Sequence, residues 1–154
     1  MKAPRCLCVA GMVCVLSGLT QLFAQDVLWQ DRLDSGKKAF EKGDYAEAQK
    51  QFLAALQEAE AFGPQALRLA AALNNLAALY HAQGKYAEAK PLYRQALTIL
   101  EESLGPEHPL VARLLNNYAA LLRQTNREAE AAKLEVRSEA IRVASGRTQT
   151  SSGH

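Results

Sequence analysis

Apolar residues recur at intervals of three and four along most of the chain, which is the period of an amphipathic helix. Leu69, Leu73 and Leu76 follow this spacing in one stretch, and Leu97 and Leu100 follow it in the next. No run of strand length alternates between apolar and polar positions. The pattern therefore predicts an all-α protein.

Glycine and proline divide the chain into blocks of helix length. Gly43 and Gly84 allow tight turns, and Gly63 and Gly105 suit the left-handed end of a helix. Each of the latter two is followed by a proline, which suits the first turn of the next helix. We predict six helices, at residues 27–41, 44–62, 65–82, 86–104, 107–124 and 127–144.

These helices form pairs that repeat along the sequence. Residues 63–104 align with residues 105–146 at an offset of 42, so that a Gly-Pro step, an Asn-Asn pair and an Ala-Glu-Ala triplet coincide. A third copy lies upstream at an offset of 41 and shares the Tyr-Ala-Glu-Ala segment. A period of this length indicates a solenoid built from stacked repeats.

The small and aromatic positions of the second copy resemble the tetratricopeptide repeat. They are Ala77, Tyr80, Gly84, Tyr86, Ala89, Tyr93 and Ala96. The third copy departs from this pattern, with Asn126 at the turn glycine and with Glu128 and Glu135 at aromatic positions. Its polar residues suit a terminal repeat exposed to water. The string LNNLAALYHAQGKYAEAKPLYRQAL and the 42-residue period are similar to the kinesin-light-chain type of this repeat.

The resemblance implies a right-handed α-solenoid of about three antiparallel helix pairs, near residues 29–62, 63–104 and 105–144. It also implies that the first helix of each pair lines a concave groove that holds partners as extended peptides. By register, the expected peptide-binding residues are Lys37, Asn74, Asn75, Ala78, His81, Arg113, Asn116, Asn117 and Arg123. Asn75, Asn117 and Arg123 are expected to be the principal contacts, since a side-chain amide can pair with either group of a peptide backbone.

Other roles for these side chains remain open at this point. Asn74 and Asn116 can instead hydrogen-bond to the adjacent repeat and fix the stacking geometry. His81 on a polar helix face can simply be solvated. His108 is expected at the start of a helix.

The first 24 residues have the order of a secretory signal peptide. Lys2 and Arg5 precede an uncharged apolar stretch, and Ala24 offers a small residue before a cut. An uncleaved N-terminal anchor is the alternative. All three cysteines lie in this leader, so residues 25–144 are expected to form a cysteine-free repeat domain. We expect an exported protein, periplasmic or secreted, with no membrane span after cleavage.

Composition and motifs exclude several classes of function. Without Lys2 and Arg5 the chain has 16 basic and 16 acidic residues, which gives no electrostatic footprint for nucleic acid. There is no nucleophile elbow, no phosphate-binding loop and no histidine pair at metal spacing. We therefore predict no enzyme activity, no cofactor and no metal. The segment 145–154 is rich in Gly, Ser and Thr and is predicted to be a disordered tail.

Two functions remain. The first is a scaffold that binds a peptide segment of an unidentified partner protein. The second is self-assembly into homo-oligomers through the end faces. The first repeat shows no clear polar cap in the sequence, and Leu28 and Trp29 have no obvious partner in the repeat pattern.

Overall fold

The computed structural model describes residues 27–61 and 66–150, which contain six helices and no strand. Residues 27–41 belong to α1, and the other helices are α2 (Tyr45–Ala61), α3 (Ala66–Ala82), α4 (Tyr86–Leu104), α5 (Pro109–Gln124) and α6 (Glu128–Thr150). The all-α solenoid of paired helices is confirmed. The predicted leader and the Gly63-Pro64 step lie outside the described residues. None of the described helices is long and apolar enough to cross a membrane.

Left-handed residues make the turns between helices. Gly43 and Gly84 have φ of 78° and 74° between paired helices, and Gly105 has φ of 88° after α4. The third pair uses Asn126 at φ 57°, and asparagine is the side chain that best replaces glycine in this region. The turn therefore survives the departure from the repeat pattern.

The helix α5 begins two residues later than its predicted start at residue 107. The Nδ1 atom of His108 accepts a hydrogen bond of 3.2 Å from the backbone N–H of Leu110, and Pro109 occupies the first turn. His108 is thus the N-cap residue of α5, which confirms its expected place at a helix start.

The helix α6 continues to Thr150, although the sequence pattern predicted a disordered tail from residue 145. Gly146 does not adopt the left-handed conformation that ends α4 at Gly105, so it does not stop the helix. The hydroxyl of Ser145 donates to the carbonyl of Ile141 within the same helix, at 2.8 Å. The prediction therefore differs from the structure over residues 145–150, and residues 151–154 lie outside the described part.

Small residues allow the paired helices to approach closely. Ala77 on α3 and Ala89 and Ala96 on α4 are fully buried, and Tyr93 fills the space beside them with 1% of its surface exposed. In the first pair, a Cβ atom at Gly36 would lie 2.5 Å from Cε1 of Phe52, so this position has no room for a side chain. The small residues of these two pairs therefore let the helices pack closely.

Trp29 is part of the core of the first repeat. Its side chain is 8% exposed, its Nε1 donates to the carbonyl of Ala55 at 3.1 Å, and the guanidinium of Arg68 lies over its ring. This resolves the open question from the sequence, because the indole packs within its own chain. Val27 and Leu28 are exposed.

The first end of the stack is polar. The side chains of α3 that pack against the first repeat are the apolar residues Ala72, Leu76 and Leu79. Their equivalents on α1, 41 residues earlier, are the exposed residues Asp31, Ser35 and Lys38. These three positions of the outer face are therefore polar, although Val27 and Leu28 at the start of α1 leave exposed apolar side chains beside them.

The other end of the stack is polar in the same way. Leu97, Leu100 and Leu104 of α4 pack into the core that α5 completes. Their equivalents on α6, 42 residues later, are the exposed residues Glu139, Arg142 and Gly146, and Arg142 pairs with Glu139 at 2.7 Å. Position by position, α6 replaces an apolar stacking face with one suited to water.

Candidate functional site

Two depressions lie on the face formed by the first helices of the pairs. We call the first the leucine pocket, which is lined by Leu67, Ala70, Ala71, Asn74, Leu100, Leu110, Arg113 and Leu114. We call the second the aromatic pocket, which is lined by Phe40, Ala78, His81, Ala82, Tyr93, Asn117 and Ala120. Their volumes are about 60 and 350 Å³ respectively. Together they form one groove that runs between α3 and α5.

An asparagine pair lies where the two pockets meet. The Nδ2 atom of Asn117 on α5 donates to Oδ1 of Asn74 on α3 at 3.1 Å. Asn74 thus bonds to the adjacent repeat, which is the alternative role that the sequence left open, and its partner is Asn117. The pair still has Oδ1 of Asn117 as an acceptor and Nδ2 of Asn74 as a donor, and both residues line the groove.

The other two asparagines have different surroundings. Asn75 is half-buried and makes no side-chain hydrogen bond to another residue in the described part of the chain, but it lines neither pocket. Asn116 is exposed and also lies outside both pockets. The groove is therefore lined by Asn74 and Asn117 of the four predicted asparagines, and not by Asn75 or Asn116.

The predicted basic contacts divide into paired and unpaired residues. Lys37 is exposed and pairs with Asp34 one turn earlier at 3.1 Å. Arg113 is exposed at the rim of the leucine pocket and makes no ion pair or side-chain hydrogen bond with any other described residue. Its guanidinium is therefore available to a ligand.

Arg123 has carboxylate partners on α6. Its Nε and Nη2 atoms donate to the two carboxylate oxygens of Glu135 at 2.8 and 2.7 Å, and Nη1 donates to Glu128 at 3.0 Å. The Arg123 hydrogen bond holds the pKa of the Glu135 carboxyl below its usual value. We therefore revise the role of Arg123 from a principal ligand contact to a link between α5 and α6.

The positions of Arg123, Glu128 and Glu135 hold aromatic side chains in the two earlier repeats. In the second repeat they are His81, Tyr86 and Tyr93, and the rings of His81 and Tyr86 lie 5.7 Å apart. In the first repeat they are Phe40, Tyr45 and Phe52, with the first two rings 5.8 Å apart. The ion pairs of Arg123 with Glu128 and Glu135 occur in the last repeat, which no further repeat covers within the described chain. Paired charges suit such an exposed site, whereas aromatic rings suit a covered one.

Burial sets the protonation behaviour of the aromatic pocket. Partial burial lowers the pKa of His81, which favours the neutral imidazole. Burial raises the pKa of Tyr93 to about 12, and its ring stacks on that of Tyr118 at a centroid distance of 6.0 Å. The pocket is therefore uncharged near neutral pH.

Several groove residues were not predicted from the sequence. Leu67 follows the helical register of Ala71 and Asn74 and could have been found by extending that stripe one turn. Tyr93 and Leu100 come from α4, and their contribution to the groove depends on how α4 packs beneath α3 and α5. No group of three or more histidine or acidic side chains in the described residues could hold a metal ion.

Comparison with known proteins supports the repeat architecture. The sequence profile of the tetratricopeptide repeat matches residues 38–102 and 68–142. Among curated proteins, none matches the sequence. The fold is similar to that of the N-terminal domain of stress-induced protein-1 from C. elegans, with a TM-score of 0.60 and 20% identity over 76% of this chain and 85% of that one. Since the matched segments span most of the described helices, the chain belongs to the tetratricopeptide-repeat family.

Proposed function

We propose that this protein is a scaffold that binds a peptide segment of a partner protein in the groove between α3 and α5. Repeats of this family generally mediate protein–protein interaction. The observation that carries the proposal is the asparagine pair, Asn74 and Asn117, flanked by two pockets on one face. One free donor and one free acceptor match the two polar groups of a peptide unit, while the pockets accept side chains.

The small residues of the groove support an extended ligand. Ala71, Ala78 and Ala120 lie on the groove face of α3 and α5 and leave space above the helices. A main chain can therefore approach the asparagine amides to hydrogen-bonding distance. Larger side chains at these three positions would close the groove.

Self-assembly through the end faces is not favoured. Asp31, Ser35 and Lys38 form one end, and Glu139 and Arg142 occupy the other. Burying these charged and polar groups against another copy would cost desolvation free energy, which the exposed side chains of Val27 and Leu28 at the first end only partly offset. We therefore retain a single proposed function, in an exported location that rests on the leader sequence.

A selection experiment tests the proposed function. A random twelve-residue peptide library displayed on phage is selected on the full-length protein, and enriched peptides are synthesised for calorimetry. Binding is then compared in the unmodified protein and in the Asn74→Ala/Asn117→Ala variant. We expect the variant to lose roughly tenfold or more in affinity, because each lost amide contact to the ligand main chain costs about 0.5–1.5 kcal/mol.

The matched control is Asn116→Ala, which removes the same amide from an exposed position of α5 outside both pockets. It should bind like the unmodified protein. Equal binding by all three proteins, with unchanged circular dichroism, would place the peptide site elsewhere and reject the groove.

A further inference from the structure

The leucine pocket combines an apolar cavity with a single unpaired cation. Leu67, Leu100, Leu110 and Leu114 form its walls, and the guanidinium of Arg113 lies at its rim. Leu67 is 43% exposed, so its side chain is accessible to a ligand in the pocket.

Arg113 is distinctive among the repeats. The equivalent positions are Gln30 in the first repeat and Ala71 in the second, so neither of the other copies has a charge there. The other predicted basic contacts, Lys37 and Arg123, are neutralised by Asp34 and by Glu128 and Glu135. Of these three predicted basic contacts, Arg113 is the one without an ion pair among the described residues, and it lies beside the leucine pocket.

The size of the pocket limits the side chain that it can take. Its volume is about 60 Å³. This is well below the roughly 150 Å³ of a closed apolar cavity that holds a benzene ring, so the pocket favours a smaller aliphatic side chain over an aromatic one. A branched aliphatic side chain fits the leucine walls and the alanine floor.

We propose that the leucine pocket selects a partner segment in which an aliphatic residue is followed or preceded within two positions by Asp or Glu. The aliphatic side chain enters the pocket, and the carboxylate pairs with Arg113. The adjacent peptide unit then meets the free amide groups of Asn74 and Asn117. This inference rests on the proposed function and specifies the chemistry of its ligand.

The peptide library described above also tests this inference. The expected consensus among enriched peptides is Leu, Ile or Val with an acidic residue within two positions. Selection on Arg113→Glu should replace the acidic residue with Lys or Arg. For an acidic peptide from the first selection, Arg113→Glu should lower affinity by roughly tenfold or more, because an attractive pair becomes a repulsive one. Added salt should weaken the same complex in the unmodified protein.

Two further variants separate charge from shape. Ala71→Leu fills the pocket without altering charge, and it should reduce affinity for peptides that carry the aliphatic residue. Lys133→Glu is the matched control for charge, because Lys133 is exposed on α6 away from both pockets and makes no ion pair within the described chain. It changes the net charge by the same amount and should leave affinity unchanged.

The outcomes distinguish the two proposals. Peptides that lose binding in Asn74→Ala/Asn117→Ala but bind Arg113→Glu and Ala71→Leu normally would retain the groove and overturn this inference. An aromatic or basic consensus would also overturn it. Enrichment of no peptide, or of peptides that ignore all groove variants, would reject both proposals.

Discussion

The amide of Asn117 donates its hydrogen bond to Asn74 across the boundary between two repeats, over 3.1 Å. The two residues are 43 positions apart in the sequence and belong to α5 and α3. This hydrogen bond thus links consecutive repeats and orients the polar groups that face the groove. Its loss is expected to affect both the stacking of the repeats and ligand binding.

The contribution of this bond to stability can be measured with a double-mutant cycle. Asn74→Ala, Asn117→Ala and the double variant are unfolded with urea. We expect a coupling free energy of about 0.5–1.5 kcal/mol, since the pair is partly buried and each single variant leaves an unpaired amide. A coupling energy near zero would show that the two amides do not bond in solution. The pair of Asn75→Ala and Asn116→Ala is the control and should be additive.

Gly36 is predicted to tolerate no side chain. Gly36→Ala places a Cβ atom against the buried ring of Phe52, so the ring or the helix must move. We expect a loss of about 1–3 kcal/mol in the free energy of unfolding, less the helix-propensity gain of alanine. Gly146→Ala is the control, because a Cβ atom at Gly146 meets nothing within 4 Å. It should be neutral or stabilising, and equal effects of the two substitutions would contradict the close contact.

The polar ends predict that the unmodified protein does not stack end to end. In the first variant, α1 receives the side chains with which α3 packs, through Asp31→Ala, Ser35→Leu and Lys38→Leu. Glu135→Tyr/Glu139→Leu/Arg142→Leu gives α6 those of α4. An equimolar mixture of the two variants should form a complex by analytical ultracentrifugation, whereas the unmodified protein should stay monomeric. Ala129→Leu/Lys133→Leu, on another exposed face of α6, is the control for added apolar surface.

Acidification is expected to lower stability through His81. Partial burial lowers the pKa of the folded imidazole below its ordinary value of 6.5, so the unfolded chain binds the proton more readily. The contribution of His81 to the free energy of unfolding is fully present above the pKa of the unfolded chain. It declines as the pH falls through 6.5 toward the lower pKa of the folded state. Urea unfolding at pH 7.5 and 5.5 should show this loss of stability. In His81→Phe, the His81 contribution to the difference between the two pH values should be absent. An unchanged pH dependence in His81→Phe would contradict the assignment.

Trp29 is predicted to report on folding of the first repeat. It is the one tryptophan of the chain and is buried, so its fluorescence should be blue-shifted and should move to longer wavelength on unfolding. Trp29→Phe removes the indole hydrogen bond to the carbonyl of Ala55, which keeps its donor within α2, so the loss of this bond should cost about 0.5–1.5 kcal/mol. Leu28→Ala, at an exposed neighbouring position, should cost little. An emission maximum typical of solvated indole would contradict the burial.

The sequence by itself determined the class of fold and most of the helix boundaries. The three-to-four spacing of leucines, the turn residues Gly43 and Gly84, and the small residues Ala77 and Ala89 are local signals, and the helices follow them closely. Glu128 and Glu135 also indicated a water-exposed last repeat, in agreement with the polar end of the stack. The extent of α6 beyond residue 145 was missed, because Gly146 does not reveal its backbone conformation in the sequence.

The tertiary structure decided which side chains meet. Helical register placed Asn74, Asn117 and Arg123 on the predicted groove face. It did not show that Asn117 bonds to Asn74 or that Glu135 pairs with Arg123. Helical periodicity fixes the direction of a side chain around its own axis, whereas a contact between helices depends on their separation and crossing angle. For the same reason, only the packed helices brought Leu100 beneath Arg113 and made an apolar pocket beside an unpaired charge.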